Sequence, residues 1–165
     1  MITGDTMDSK ILETNRLVLR YFKEKDLDTF TEYRNNEEWM IYQTFKGKTK
    51  EEYRDILLTP FYIDHGSQLA FCLKETDELI GDLYVEKSEL EMFIGYSIHP
   101  KYARKGFIYE IVSAFIKYIF EKYPDVKIVA ETDVENIPSI RLLEKIGFIR
   151  VMNNVEGLVF ELHNK

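Results

Sequence analysis

Apolar and polar positions divide the chain into eleven segments, each with its own period. Leu17-Val18-Leu19-Arg20-Tyr21-Phe22 reads as a strand. Asp26 then opens an amphipathic helix whose apolar face carries Leu27, Phe30 and Tyr33, ending near Asn35-Asn36. Thr49-Lys50-Glu51-Glu52 has the S/T-x-x-E spacing of a capping box, which predicts a helix with Thr49 as N-cap, running to Leu58 and stopped by Pro60. Two strands follow, Gln68–Lys74 and Leu79–Val85, joined as a hairpin by the polar Glu75-Thr76-Asp77-Glu78. Glu91–Ile98 extends that meander, and its Gly95 predicts a bulge or a close approach. The longest helix runs from Gly106 to about Tyr123, ahead of Pro124. Lys127–Glu131 is a strand, Pro138–Ile146 a helix closed by Gly147, and Phe148–Met152 and Leu158–Leu162 are the last two strands.

The order β-α-α-β-β-β-α-β-α-β-β places one helix between the Glu91 and Lys127 strands, a crossover that makes this pair parallel. The sheet is therefore mixed, and ligands in such sheets sit at the carboxyl ends of the parallel strands. Without an internal repeat or a Pro/Gly-rich linker, residues 11–165 read as one domain. Residues 1–10 are polar and patternless and are expected to be disordered.

The stretch GYSIHPKYARKGFIYE from Gly95 to Glu110 changes the picture from fold to chemistry. A strand delivers a basic, glycine-containing turn into a helix N-terminus, where unpaired backbone N–H groups converge and hold a phosphate. Arg104 and Lys105 add charge-assisted bonds.

The formal net charge is −7, which argues against nucleic acid as a partner and favours cationic ligands. No apolar run reaches the ~18 residues of a membrane span, and the N-terminus has no signal-peptide pattern. No membrane partner and a cytoplasmic location are expected. Cys72, the one cysteine, lies in an apolar strand and reads as an inert buried thiol. The three histidines, His65, His99 and His163, show no metal-ligand spacing, so no metal is expected. Eleven Tyr and eleven Phe suit either an aromatic core or a cleft for an organic ligand.

Three segments resemble the GNAT acetyltransferases, in the branch that includes the N-terminal-alanine acetyltransferases of ribosomal proteins. These are Leu12 to Arg20 followed by Glu24-Lys25-Asp26-Leu27, the Tyr96–Glu110 segment, and Asn136-Ile137-Pro138-Ser139-Ile140-Arg141-Leu142-Leu143-Glu144-Lys145-Ile146-Gly147-Phe148. The resemblance implies an α/β (α+β) fold with a mixed, mostly antiparallel seven-stranded sheet, about four flanking helices, and a parallel pair splayed around an acetyl-CoA site.

It implies acetyl-CoA as co-substrate, bound by Ala103, Arg104, Lys105, Gly106, Phe107 and Ile108. Gly106 matches the family's Gln/Arg-x-x-Gly-x-Gly/Ala loop, while Ala103 replaces its polar first residue and Ile108 its small last one. Ser97 and Ile98 supply strand amides to the thioester carbonyl, Asn136 meets the pantetheine arm, and Ser139 is the candidate acid for the departing thiolate. Leu143 stands where many members have a tyrosine, and Tyr109 is only an imperfect substitute. Glu91, two residues before the position now held by Phe93, is the candidate base.

The acceptor is expected to be a primary amine, either a protein N-terminus or a small molecule, met by Trp39, Tyr42 and Tyr84. Transfer is expected by direct attack in a ternary complex, since Cys72 has no activating base for a covalent route. The alternative is a catalytically degenerate module that binds CoA or a protein, a reading favoured by Ala103 and Ile108. The chain is expected to be a monomer or a homodimer, with Leu158–Leu162 as a possible edge strand.

Overall fold

Leu17 and Leu19 are both fully buried, yet so is Arg20 between the next strand positions, so this strand is covered on both faces. The leucines enter the larger of two apolar clusters. Arg20, on the opposite face, is held by Asp26 at 2.7 Å and Asp77 at 2.8 Å. A charge in that position is stable only because it is paired on both sides. The structure, a computed structural model, describes residues 10–154 and 157–165.

The strands are β1 (Lys10–Glu13), β2 (Leu17–Arg20), β3 (Ser67–Leu73), β4 (Leu79–Ser88), β5 (Glu91–Ile98), β6 (Lys127–Thr132), β7 (Ile149–Asn154) and β8 (Gly157–His163). The helices are α1 (Leu27–Arg34), α2 (Lys50–Leu57), α3 (Phe107–Lys122) and α4 (Ile137–Ile146). The strands form one sheet in the order β1-β2-β3-β4-β5-β6-β8-β7. Every neighbouring pair is antiparallel except β5 and β6.

The sheet has eight strands where seven were expected. The extra one, β1, begins at Lys10 and pairs with β2, so Lys10 is ordered; the remainder of the 1–10 segment lies outside the described residues. β8 is not an edge strand as expected. It pairs with β6 on one side and β7 on the other, which leaves β1 and β7 as the edges. The β4–β5 register is continuous through Gly95, opposite Tyr84, without the predicted bulge.

Two apolar layers enclose the sheet. One joins Leu17, Leu19, Leu83 and Met92 to Ile111, Phe115 and Ile119 of α3 and to Ile140 and Leu143 of α4. The other sets Phe30 and Tyr33 of α1 and Tyr53 and Leu57 of α2 against Ala70 and Cys72 of β3. α2 starts as its spacing predicts: the Glu52 N–H donates to Thr49 Oγ1 at 3.1 Å, and the Thr49 N–H to Glu52 Oε1 at 2.9 Å. Among the described residues, no helix is long and apolar enough to cross a membrane.

Candidate active site

Parallel pairing between β5 and β6 runs from Glu91↔Lys127 to Ile94↔Ala130 and stops there. Beyond Ile94 the strands part, and the last residues of β5 face a gap. Which of their backbone groups face it follows from the register with β4. The His99 N–H donates to Ile80 O at 2.8 Å, which makes Ile80 and His99 a hydrogen-bonded pair. Hydrogen-bonded and non-bonded pairs alternate along an antiparallel ladder, so Ser97 turns its backbone to β4 while Tyr96 and Ile98 turn theirs to the gap. Of the two strand residues expected to polarise a carbonyl, Ile98 reaches the open edge and Ser97 does not.

The turn after β5 is shaped by two residues with positive φ, Arg104 at 64° and Gly106 at 82°. Gly106 occupies the N-cap position of α3 and no side chain caps that end. The first-turn amides of α3 therefore have no partner within the helix. Arg16 braces the turn from outside, with Nη1 donating to Lys105 O at 3.2 Å, Nε to Glu110 Oε1 at 2.7 Å, and the guanidinium 4.2 Å over the Phe107 ring. Thr14 Oγ1 adds a bond to Glu110 at 2.6 Å. Burial pushes the Glu110 carboxyl up, but the Thr14 and Arg16 hydrogen bonds outweigh it and hold the group below its ordinary range.

Ala103 and Ile108, the two departures from the expected loop pattern, pack against the core. Their bulk is thus taken up inside rather than at the turn. A backbone edge followed by an uncapped helix start and basic side chains is a donor set that fits a pantetheine arm and its phosphates.

α4 forms the far wall. Asn136 caps it, accepting from the Ser139 N–H at 3.4 Å, so Asn136 Oδ1 serves the helix. Ser139 Oγ lies 2.7 Å from Tyr96 Oη. Burial pushes the Tyr96 phenol up to about 12, against the lowering pull of Ser139. It therefore stays protonated at neutral pH, facing a serine at the mouth of the gap. Leu143 is fully buried, and the Tyr109 ring sits 4.3 Å beneath the Lys145 ammonium, on the helix surface.

Below the open edge lies a buried network around Asp82. Its carboxylate accepts from Tyr33 Oη at 2.6 Å, Arg34 Nη2 at 2.5 Å, Gln68 Nε2 at 2.9 Å and Ser97 Oγ at 2.8 Å. One side chain thereby ties α1, β3 and β5 together. Burial, followed by the neighbouring Asp82 charge, raises the Tyr33 phenol well above its ordinary value. The signal for this network was an aspartate inside the apolar run Leu79-Ile80-Gly81-Asp82-Leu83.

A cavity of about 1250 Å³ opens on the α1–α2 side and reaches Gly95 and Tyr96. Tyr84 lines it. The other two expected acceptor contacts do not. Trp39 Nε1 donates to Ile98 O at 2.6 Å, at the open edge, and Tyr42 Oη to Glu135 O at 3.3 Å, just ahead of α4. Together they strap the segment after α1 across the gap. His99 caps the following turn through Nδ1, which accepts from the Lys101 N–H at 3.0 Å.

Glu91 is not brought to the site. It starts β5, is 3.3 Å from Lys127 Nζ, and is separated from Ile98 by roughly 23 Å at ~3.3 Å per residue. Cys72 is fully buried, and that burial raises its thiol to about 12, which removes it as a nucleophile.

Residues 16–149 match the acetyltransferase (GNAT) domain. A curated relative, the uncharacterized N-acetyltransferase YnaD of Bacillus subtilis, is 31% identical over 141 residues, 84% of this chain and 82% of that protein. The crystal structure of a GNAT-family acetyltransferase from Bacillus anthracis superposes with a TM-score of 0.79 at 26% identity, covering 92% of this chain and 97% of that one. RimL, a ribosomal L7/L12 alpha-N-protein acetyltransferase solved with coenzyme A, has a TM-score of 0.80 at 15% identity, covering 94% and 98%.

Proposed function

The chain belongs to the GNAT acetyltransferase family and is an N-acetyltransferase, and on that premise we propose that it moves an acetyl group from acetyl-CoA to a primary amine by direct attack in a ternary complex. The observation that carries the reading is the end of β5–β6 pairing at Ile94↔Ala130, which leaves a backbone edge, a helix N-terminus and a tyrosine–serine pair around one gap.

In this reading the pantetheine arm runs along the Tyr96–Ile98 edge as an added strand, with its phosphates at the turn of Arg104, Lys105 and Gly106. The Ile98 N–H faces the thioester carbonyl and stabilises the negative charge that develops on its oxygen during attack. A donor preorganised in this way is worth about 3–4 kcal/mol of barrier in well-studied acyl-transfer sites. The amine arrives through the cavity that ends at Gly95 and Tyr96. Attack forms the C–N bond and breaks the C–S bond. Ser139 Oγ–H then gives its proton to the leaving sulfur, and Tyr96 Oη–H replaces it along the 2.7 Å contact. The surplus proton of the attacking nitrogen passes to solvent, from which the Tyr96 phenol is restored. Cys72 takes no part, in keeping with its burial.

Calorimetric titration with acetyl-CoA tests the reading, with Gly106→Trp as control and circular dichroism to verify its fold. Binding by the wild-type chain that the variant loses is the expected result. A wild-type chain that binds no acetyl-CoA overturns the proposal.

A further inference from the structure

We propose that the acceptor is a small primary amine with a large aromatic or otherwise apolar body, and not a polyamine; this rests on the transferase reading above. The argument is the chemistry of the cavity wall. Tyr21, Phe45, Phe61, Tyr62 and Tyr84 line it, and Leu57 and Leu58 close one side with aliphatic carbon. Among the described residues that line it there is no Asp or Glu. Its charged or titratable side chains besides tyrosine are Arg34 and His65, both basic types.

Arg34 bears on the choice twice. The residue is 3% exposed, and its charge is matched by Asp82 within the buried network, so neither partner offers a spare charge to a ligand. Its Nε has no hydrogen-bond partner, so the local balance of unused groups is on the donor side. The Glu86 carboxylate, which accepts from Tyr84 Oη at 2.5 Å, is not part of the lining. A polyamine carries further ammonium groups beyond the reacting one, and each must be paired when it leaves water. This wall has aromatic faces but no carboxylate to pair them.

An aromatic amine has one ammonium, and its ring gains by burial at about 25 cal/mol per Å² of apolar surface. The same carbon lining disfavours the charged form of its amine, which favours the neutral nucleophile that attack requires. At about 1250 Å³ the cavity has room for a fused ring system. The overall charge of −7 favours cations at long range, but the wall that meets the acceptor is not acidic.

The test compares tryptamine, spermidine and an alanine-initiated hexapeptide as acceptors, reading CoA release and confirming products by mass spectrometry. Tryptamine is expected to have a kcat/KM at least tenfold above either of the others. Leu58→Asp and, separately, Tyr62→Glu add a carboxylate at half-exposed wall positions. Each is expected to lower kcat/KM for tryptamine about tenfold with acetyl-CoA affinity unchanged. Spermidine or the peptide equalling tryptamine overturns the inference, as does tryptamine turnover that neither variant reduces. Absence of turnover with all three also overturns it, and acetyl-CoA titration then separates the two levels: binding retained leaves the transferase reading standing, and binding absent removes both.

Discussion

Arg16 and Glu110 are joined at 2.7 Å across 94 positions of chain, and the same arginine holds the carbonyl of Lys105. The residue just before β2 thus sets the position of the turn that leads into α3. Arg16 is partly exposed, so its ion pair alone is worth at most about 1 kcal/mol. Its larger effect is on the geometry of the turn. Arg16→Ala is expected to raise the acetyl-CoA dissociation constant about tenfold while unfolding free energy falls by about 1 kcal/mol or less. Titration and urea denaturation of the same sample measure both.

Tyr96→Phe and Ser139→Ala remove the two ends of one hydrogen bond. Each is expected to reduce kcat by roughly 100-fold, the lower range of positioned acid catalysis, with little change in acetyl-CoA KM. A role confined to holding the fold would instead lower stability and leave kcat per folded molecule intact. Because burial keeps the phenol near 12, deprotonation of Tyr96 should not limit the rate at any pH below about 10. A pH–rate profile of the wild type checks this.

Asp82→Ala leaves Arg34 buried without its counter-charge and Tyr33, Gln68 and Ser97 without an acceptor. A loss of about 3–5 kcal/mol is expected, the range for breaking one side of a buried ion pair. Chemical denaturation measures it. Arg34→Met with Asp82→Leu, which removes both charges, should recover part of that loss.

Asp77 links acid sensitivity to the β3–β4 hairpin. Burial pushes its carboxyl up, but hydrogen bonds from Arg20 and Lys25 overcome this and hold it at about 2. A carboxyl lowered on folding contributes stability above its unfolded value of about 3.9, and that contribution is lost as pH falls toward the folded value. Wild-type stability should therefore drop between about pH 4 and pH 2. Asp77→Asn should flatten that part of the curve, because asparagine keeps the polar side chain and tolerates the φ of 62°. Denaturation midpoints at pH 5 and pH 2.5 distinguish the two.

Local features were legible in the chain to the extent that their chemistry is local. The Thr49–Glu52 cap involves residues three apart, and it forms as its spacing predicts. The Gly106 turn was visible because strand, glycine and helix follow one another directly. Tyr96 does not stand out within that segment, since its significance depends on α4 bringing Ser139 across the gap. Asp82 carried a signal, an acid among apolar neighbours, but its four donors come from three separate elements. β8 lies inside the sheet and not at its edge because β7 folds back outside it, and nothing in the residues of β8 itself encodes that. Glu91 illustrates the opposite error: a residue type suited to the role, at the wrong end of its strand.

Trp39 is the single tryptophan of the chain, and its indole N–H is bonded to the carbonyl of Ile98. Indole emission responds to the polarity and hydrogen bonding of its surroundings, so this protein carries an intrinsic optical reporter beside the gap. Any molecule that settles along β5 or displaces the strap will change the colour or yield of this one indole, with no second tryptophan to dilute the signal when it is excited selectively. Ligand screening can therefore be done on the unlabelled, unmodified chain, in a plate reader, before any acceptor has been identified.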